Sequence, residues 1–359
     1  MLHPFESLKK LPLYFARNNN QILALKVIRK VFRITFNYAV SLELPNNVYL
    51  RDQHLESRDL LEIEHTEIEI ISRKNGLASS RYALYKTEFK YILKDVLIDT
   101  ESGISFIDVF NPKAILESSN ILPIEVSDYL RPRNPRKIMS GTWIVLPARS
   151  YAHWLLQDLP RFFRVLQLHP NAQIVTMENP PLYVTSLLEA LGVIPSLEKT
   201  VIRAERQILI GTQYSVGVPS ERDLTVLKQL GEHLLSKNNW GKEYPKKVYI
   251  SRVKSKRPLP NEAKIEASLL ELGYEVLYLE EIDFLEQIQI FRNCEVIVGA
   301  HGAGLTNIVW SNSTARIVEI YDPTFEQESI YTLSVKLELN YFRTPFNNFD
   351  EDLSGGRFD

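Results

Sequence analysis

The sequence predicts an α/β fold, on three observations. Short apolar runs such as Trp143-Ile144-Val145-Leu146 and Val296-Ile297-Val298 alternate with helix-length segments. Their spacing suits right-handed crossovers between parallel strands. At 359 residues the chain exceeds what one core usually organises, which favours two domains over one elaborated unit.

Composition narrows the class. Hydrophobic residues make up 45%, charged residues 24%, and the formal net charge is -2, so no general attraction to nucleic acid follows. The single cysteine, Cys294, cannot form an internal disulfide, which fits a reducing compartment. The sequence has neither a run of 18 or more apolar residues nor a signal-peptide succession, so a cytoplasmic location is expected.

The first element expected is a basic helix. Residues 7 to 42 hold Lys9, Lys10, Arg17, Lys26, Arg29, Lys30 and Arg33 and no acid. The last four recur at i, i+3, i+4 and i+7 and share one helical face, while Leu25, Ile28, Phe32 and Phe36 fall on another. The span 22–38 therefore suits either packing on its own domain or peripheral contact with an anionic membrane, where each basic residue contributes about 1 kcal/mol.

From 43 to 130, alternating runs such as Glu62-Ile63-Glu64-His65 and the turn signal Lys74-Asn75-Gly76 predict a β-rich extension. Arg131-Pro132-Arg133-Asn134-Pro135-Arg136 breaks the periodicity and reads as an exposed connection. The strand at 143–146, a helix from Tyr151 to Leu168 and the strand Gln173-Ile174-Val175-Thr176 make a parallel unit. Pro180-Pro181 opens a helix ending at Gly192, and β-rich stretches near 199–218 precede a helix ending close to Asn238. The cluster Asn238-Asn239-Trp240-Gly241 marks a boundary. Beyond it, strands at 247–251, 274–279, 295–299 and 316–321 are separated by helices at 262–272, 282–293 and 303–311. Asn261 is placed to cap the first of these helices and Gly273 to end it.

Chemistry concentrates in three places. Val296 to Asn307 runs from an apolar strand through His301-Gly302-Ala303-Gly304 into a helix, a turn that lets main-chain N–H groups approach a phosphate. His301 is placed to donate to a phosphate oxygen, and Glu319, 20 residues after Gly299, has the spacing of a ribose-diol acceptor. The bland reading is a tight turn beside a surface carboxylate. Ser251-Arg252, Arg257, Asn261 and Glu262 follow the strand at 247–251, and arginine forks suit a pyrophosphate that gains charge as it leaves. A solvated basic loop is the competing reading.

His153 and Asp158 offer proton acceptors at the start of one helix. Their spacing turns them about 140° apart on a regular helix, so a direct pair needs one of them in the first turn or a distortion at Pro160. A histidine beside Trp154 is more often a packed core residue. No zinc spacing, Gly-x-Ser-x-Gly elbow or Walker loop is seen, and Asp350-Glu351-Asp352 reads as a solvated end.

Taken together, His153-Trp154, Asp158-Leu159-Pro160-Arg161, Tyr249-Ile250-Ser251-Arg252, Arg257, Asn261-Glu262, Phe284-Leu285-Glu286-Gln287, His301 through Asn307 and Val318-Glu319-Ile320 resemble family 61 glycosyltransferases, in matching order. The likeness covers roughly residues 140 to 325. It implies a GT-B-like fold, two Rossmann-like domains facing across a cleft, and inverting transfer from a nucleotide-sugar donor, UDP-linked, to a glycan or glycolipid acceptor of a capsular or surface polysaccharide. No cofactor and no metal are expected. Carried over by residue, Ser251, Arg252 and Arg257 meet the diphosphate. His301, Gly302, Ala303 and Gly304 line the donor pocket, with Asn261 nearby, and Glu319 holds the ribose. Gln287 and Asn307 support the loop, and His153 or Asp158 is the base.

The expected organisation is a basic segment at 1–42, an acceptor-side domain with its extension at 43–240, a donor domain at 245–330 and a tail at 331–359. Two other readings stay open. One is an NAD-dependent oxidoreductase built on Gly299, Gly302, Gly304 and Glu319, and the other is a non-catalytic nucleotide- or glycan-binding module.

Overall fold

The computed structural model describes residues 55–68, 82–100, 103, 105–106, 114–115, 138–148, 150–198, 201–212, 219–236, 242–255, 258–321 and 328–346. The basic segment, the connection at 131–137, the boundary cluster at 238–241, Arg257 and the acidic run at 350–352 lie outside the described residues.

The fold is α/β, with two sheets. The first begins with β1 (Leu55–Ile68) and β2 (Tyr82–Asp99), an antiparallel pair, followed by the short β3 (Ser105–Phe106) and β4 (Ala114–Ile115). β5 (Ile138–Val145) leads into a helical run, α1, made of Tyr151–His153, a π-helical turn Trp154–Asp158 and Leu159–Leu168. Then come β6 (Gln173–Met177), α2 (Leu182–Leu191), β7 (Ser196–Glu198), β8 (Val201–Thr212) and α3 (Glu221–Ser236). Strand order is β4-β3-β2-β8-β5-β6-β7, with β1 on β2, and β8, β5, β6 and β7 run parallel.

Asp95 shows how this sheet keeps its face. Its φ of 49° breaks the side-chain alternation between Lys94 and Val96, which pair with Arg206 and Ala204 without a shift of register. Tyr91 and Leu93 before it, and Val96 and Ile98 after it, therefore all enter one buried cluster with Trp143 and Ile202.

The second sheet contains β9 (Lys247–Ile250), α4 (Glu262–Glu271), β10 (Glu275–Leu277), α5 (Phe284–Asn293), β11 (Val296–Ala300), a 3-10 helix (Ala303–Trp310), β12 (Arg316–Tyr321), α6 (Ser329–Lys336) and β13 (Asn340–Pro345). All its strands are parallel, in the order β10-β9-β11-β12-β13. Gly273, at φ 78°, ends α4 as expected, with the Tyr274 N–H closing back on Leu269.

Three sequence expectations differ in detail. The segment after β11 is a 3-10 helix, not an α-helix. Asn261 takes a left-handed conformation with no side-chain cap, and the Lys264 N–H bonds its backbone carbonyl. Residues expected as a tail from 331 include most of α6 and the fifth strand of the sheet.

One apolar core joins the two sheets. Trp154 of α1 meets Phe284 of α5 edge-on at 5.2 Å, and Phe284 meets Trp310 at 6.1 Å. Gly231 of α3 leaves room for the Trp310 ring, since a Cβ there would lie 3.1 Å from it. Leu227, Leu230, Ile288, Ile297 and Ile308 complete this region of the core. Buried Cys294, whose thiol donates to the Pro245 carbonyl, is pushed up to about 12 by desolvation.

Candidate active site

The second sheet reverses direction between β9 and β11. Chain leaving β9 crosses through α4 to β10 on one side, while chain leaving β11 proceeds to β12 on the other. Crevices of open α/β sheets form beyond the carboxyl ends of the strands at such a reversal. Here those ends carry Ser251-Arg252 and His301-Gly302.

The loop after β9 is shaped by buried carboxylates. Glu262 accepts from the Tyr249 hydroxyl at 3.0 Å, from the Arg252 N–H at 2.5 Å and from the Leu259 N–H at 2.9 Å. Burial, and then Glu262 itself, raises the Tyr249 phenol, so it stays a donor. Ser251 is also engaged within the loop. Its hydroxyl donates to Glu266 at 2.5 Å and accepts from the Val253 N–H at 3.1 Å.

Arg252 then reaches across to the neighbouring strand end, where its Nη1 donates to the His301 carbonyl at 2.6 Å. The guanidinium lies over Gly302, at which a Cβ would meet Nη1 at 3.3 Å. Gly304 is tighter still, with Ile250 Cγ2 at 3.0 Å and Leu279 Cδ1 at 3.1 Å from the same position. These glycines allow a guanidinium and a strand side chain to approach the backbone closely.

The His301 side chain is 15% exposed, so it reaches an opening. Its Nδ1–H donates to Oε1 of Glu319, whose carboxylate is wholly enclosed. The Tyr341 hydroxyl donates to Oε2, and Arg343 Nε lies 3.7 Å from the same oxygen while its guanidinium stacks on Tyr321. A carboxylate only accepts, so it holds the proton on Nδ1 and turns Nε2 away. Both Glu319 oxygens thus face protein groups rather than the opening where a ribose was expected.

Gln287 and Asn307 form a second group. Gln287 donates to the carbonyls of Leu279 and Ile282, both at 2.9 Å, and accepts from Asn307 at 3.2 Å. Asn307 also donates to the Gly304 carbonyl at 3.2 Å and accepts from the Tyr151 hydroxyl at 2.6 Å. Ala303 is partly buried at the start of the 3-10 helix, and Asn261 is exposed beyond the Glu262-held loop.

The two base candidates separate. The π turn lies just before Pro160, which has no N–H to donate, and closes with the Leu159 N–H on the Trp154 carbonyl. His153 is partly exposed and its Nδ1 donates to the Gln157 carboxamide oxygen at 3.0 Å, leaving Nε2 as an acceptor. Asp158 is buried and lines a cavity of about 30 Å³ with Arg161 and Gln207. Its charge, after burial, helps raise Tyr183 to about 12. No cluster with metal-holding composition occurs among the described residues.

Three organising residues had no assigned role in the sequence reading. The sequence marks Tyr151 only as the start of a helix and Glu262 only as part of a motif, and it places Tyr341 in a tail. An acid opening a helix just after two prolines is a readable signal for Glu262. Nothing local marks Tyr341.

Residues 151–318 match the Glycosyltransferase 61 family. This segment is similar to family 61 glycosyltransferase domains. The match opens at Tyr151, at the head of α1, and ends inside β12, so the matched segment spans elements of both sheets. The chain is also similar to the EGF domain-specific O-linked N-acetylglucosamine transferase of Rattus norvegicus, at 26% identity over 140 residues, 35% of this chain and 26% of that protein. The protein of the same name from Drosophila melanogaster is 35% identical over 78 residues, 21% of this chain and 15% of that one. The chain thus spans about a quarter or less of the length of these curated relatives.

Proposed function

We propose that the chain transfers a sugar, with inversion, from a UDP-linked donor to a glycan or glycolipid acceptor in surface-polysaccharide synthesis. The observation that carries this reading is the convergence of Arg252 and His301-Gly302 on the reversal point of the second sheet. The donor's diphosphate sits beyond those strand ends, on the side to which the Arg252 guanidinium is held. His153 Nε2 takes the acceptor hydroxyl's proton, and the freed oxygen attacks the anomeric carbon. The bond to the diphosphate breaks with its electrons passing to the phosphate oxygen, where Arg252 stabilises the charge. Arg257 adds a second guanidinium, and no metal ion takes part in this step.

In this reading the two sheets form acceptor and donor sides of a GT-B-type cleft. Glu319 acts through His301 instead of holding the ribose, and Ser251 shapes the loop. Asp158 is enclosed, which favours His153 as the base. The relatives' names make N-acetylglucosamine the first sugar to try.

Isothermal titration calorimetry with UDP tests the reading. Replacing Arg252 by alanine removes a charge-assisted hydrogen bond to the diphosphate, and affinity is expected to fall by about 10- to 100-fold. Equal affinity of the two proteins removes the arginine from the site. Absence of UDP, GDP and CMP binding overturns the donor assignment.

We place the enzyme in the cytoplasm, with its basic span 22–38 resting on the membrane's inner face. Deleting residues 1–42 is expected to abolish sedimentation with phosphatidylserine vesicles, by about tenfold or more in bound fraction at low salt. Equal sedimentation of the shortened protein rules this out.

A further inference from the structure

Tyr151 stands at the head of the helix that carries His153, yet its hydroxyl belongs to the other sheet's loop. It donates to Asn307 Oδ1 at 2.6 Å. Asn307 passes its two N–H groups to Gln287 Oε1 and the Gly304 carbonyl, each at 3.2 Å. Gln287 passes its own to Leu279 and Ile282. Each hydrogen of the hydroxyl and both carboxamides thus has an acceptor, which leaves only one orientation for each amide. Burial raises the Tyr151 phenol strongly, so the group remains an O–H donor.

The ring is fixed as firmly as the hydroxyl. It packs edge-on against Tyr183 at 5.1 Å and lies 5.9 Å from Trp154. A closed polar network of this kind specifies one arrangement, because any shift leaves a buried donor or acceptor unpaired. Its ends are the first turn of α1, two residues before His153, and the carbonyl of Gly304, two residues after Gly302.

We infer that Tyr151 is a positioning residue of the transferase site, which sets His153 against the donor loop and transmits nucleotide binding at Arg252 and His301 to the base. This rests on the transferase reading above. Donor binding that moves the His301–Gly304 turn must move Asn307, since Asn307 holds the Gly304 carbonyl. Asn307 in turn holds Tyr151, and Tyr151 begins the helical segment that ends at His153.

The test uses the full chain with ¹⁵N-labelled histidine imidazoles, titrated with UDP, as wild type and as Tyr151→Phe. Phenylalanine keeps the ring contacts and removes only the hydroxyl. In the wild type UDP is expected to shift the signals of both His301 and His153. In Tyr151→Phe the UDP affinity is expected to stay within about threefold and His301 to shift as before, while His153 no longer responds. An undiminished His153 response in the variant overturns the proposal, as does a wild-type His153 that ignores bound UDP. A merely structural tyrosine would leave that response intact.

A ligand-free arm separates this proposal from the donor assignment. Amide exchange over Ala303–Trp310 is expected to quicken by about tenfold in Tyr151→Phe, the equivalent of one lost hydrogen bond. Unchanged exchange overturns the latch whether or not UDP binds. Quickened exchange together with no nucleotide binding keeps the contact but overturns its role in transfer.

Discussion

Glu319→Leu is expected to lower the free energy of unfolding by about 3–5 kcal/mol, read as a drop in the urea midpoint. The carboxylate is wholly enclosed between His301, Tyr341 and Arg343. Leucine supplies neither acceptor nor negative charge, so the imidazole N–H, the phenol hydrogen and the Arg343 charge all lose that partner. Replacing a whole buried ionic cluster by hydrocarbon is often neutral, but replacing one member leaves the others exposed to the desolvation penalty. Glu319→Gln should be milder, at about 1–3 kcal/mol, because a carboxamide still bonds His301 and Tyr341. The carboxamide also accepts either imidazole tautomer, so the Gln variant should bind UDP more weakly than the wild type in calorimetry while remaining folded. A Leu variant as stable as the wild type would show that Glu319 is not the counter-charge of this cluster.

The same residue shows where sequence reading stops. Its distance from Gly299 along the chain suggested a ribose ligand, and the strand Arg316-Ile-Val-Glu-Ile-Tyr321 is apolar on both faces, so alternation could not say which way the acid points. What buries it is β13, whose Arg343 pairs with Glu319 in register and whose Tyr341 is on the same face. The sequence after 330 carries the pattern of a tail, which hides these partners. The turn from β11 into His301-Gly302-Ala303-Gly304 was legible, because an apolar run ending in glycines needs only local pattern. The parallel sheet was legible for the same reason. The π turn was not, since sequence spacing implies 3.6 residues per turn while the turn before Pro160 is wider. Even so, the wider turn does not pair His153 with Asp158: the histidine bonds Gln157 and the acid lies buried. Tyr151 lies beyond sequence reading because Asn307, the acceptor of its hydroxyl, is 156 residues away, a distance over which no pattern carries information.

The two glycines of the donor turn should separate stability from binding, although the sequence presents them alike. Gly304→Ala places a Cβ 3.0 Å from Ile250 and 3.1 Å from Leu279, both apolar side chains anchored in the shared core. Neither can retreat without disturbing β9 or the turn before α5. The expected outcome is a loss of about 1–3 kcal/mol in urea unfolding, as overpacking usually brings. Gly302 meets a different neighbour. Its φ of 164° is extended backbone open to any residue, so alanine adds no torsional strain, and the atoms 3.3 and 3.4 Å from its Cβ are the far end of the Arg252 side chain. A long flexible side chain can swing aside at little cost in stability, but in doing so it leaves the His301 carbonyl and the place where the diphosphate would sit. Gly302→Ala is therefore expected to unfold within about 0.5 kcal/mol of the wild type and yet bind UDP about tenfold more weakly. If Gly302→Ala bound UDP as tightly as the wild type, the guanidinium over this glycine would not be the group that meets the nucleotide, whatever Arg252→Ala had shown.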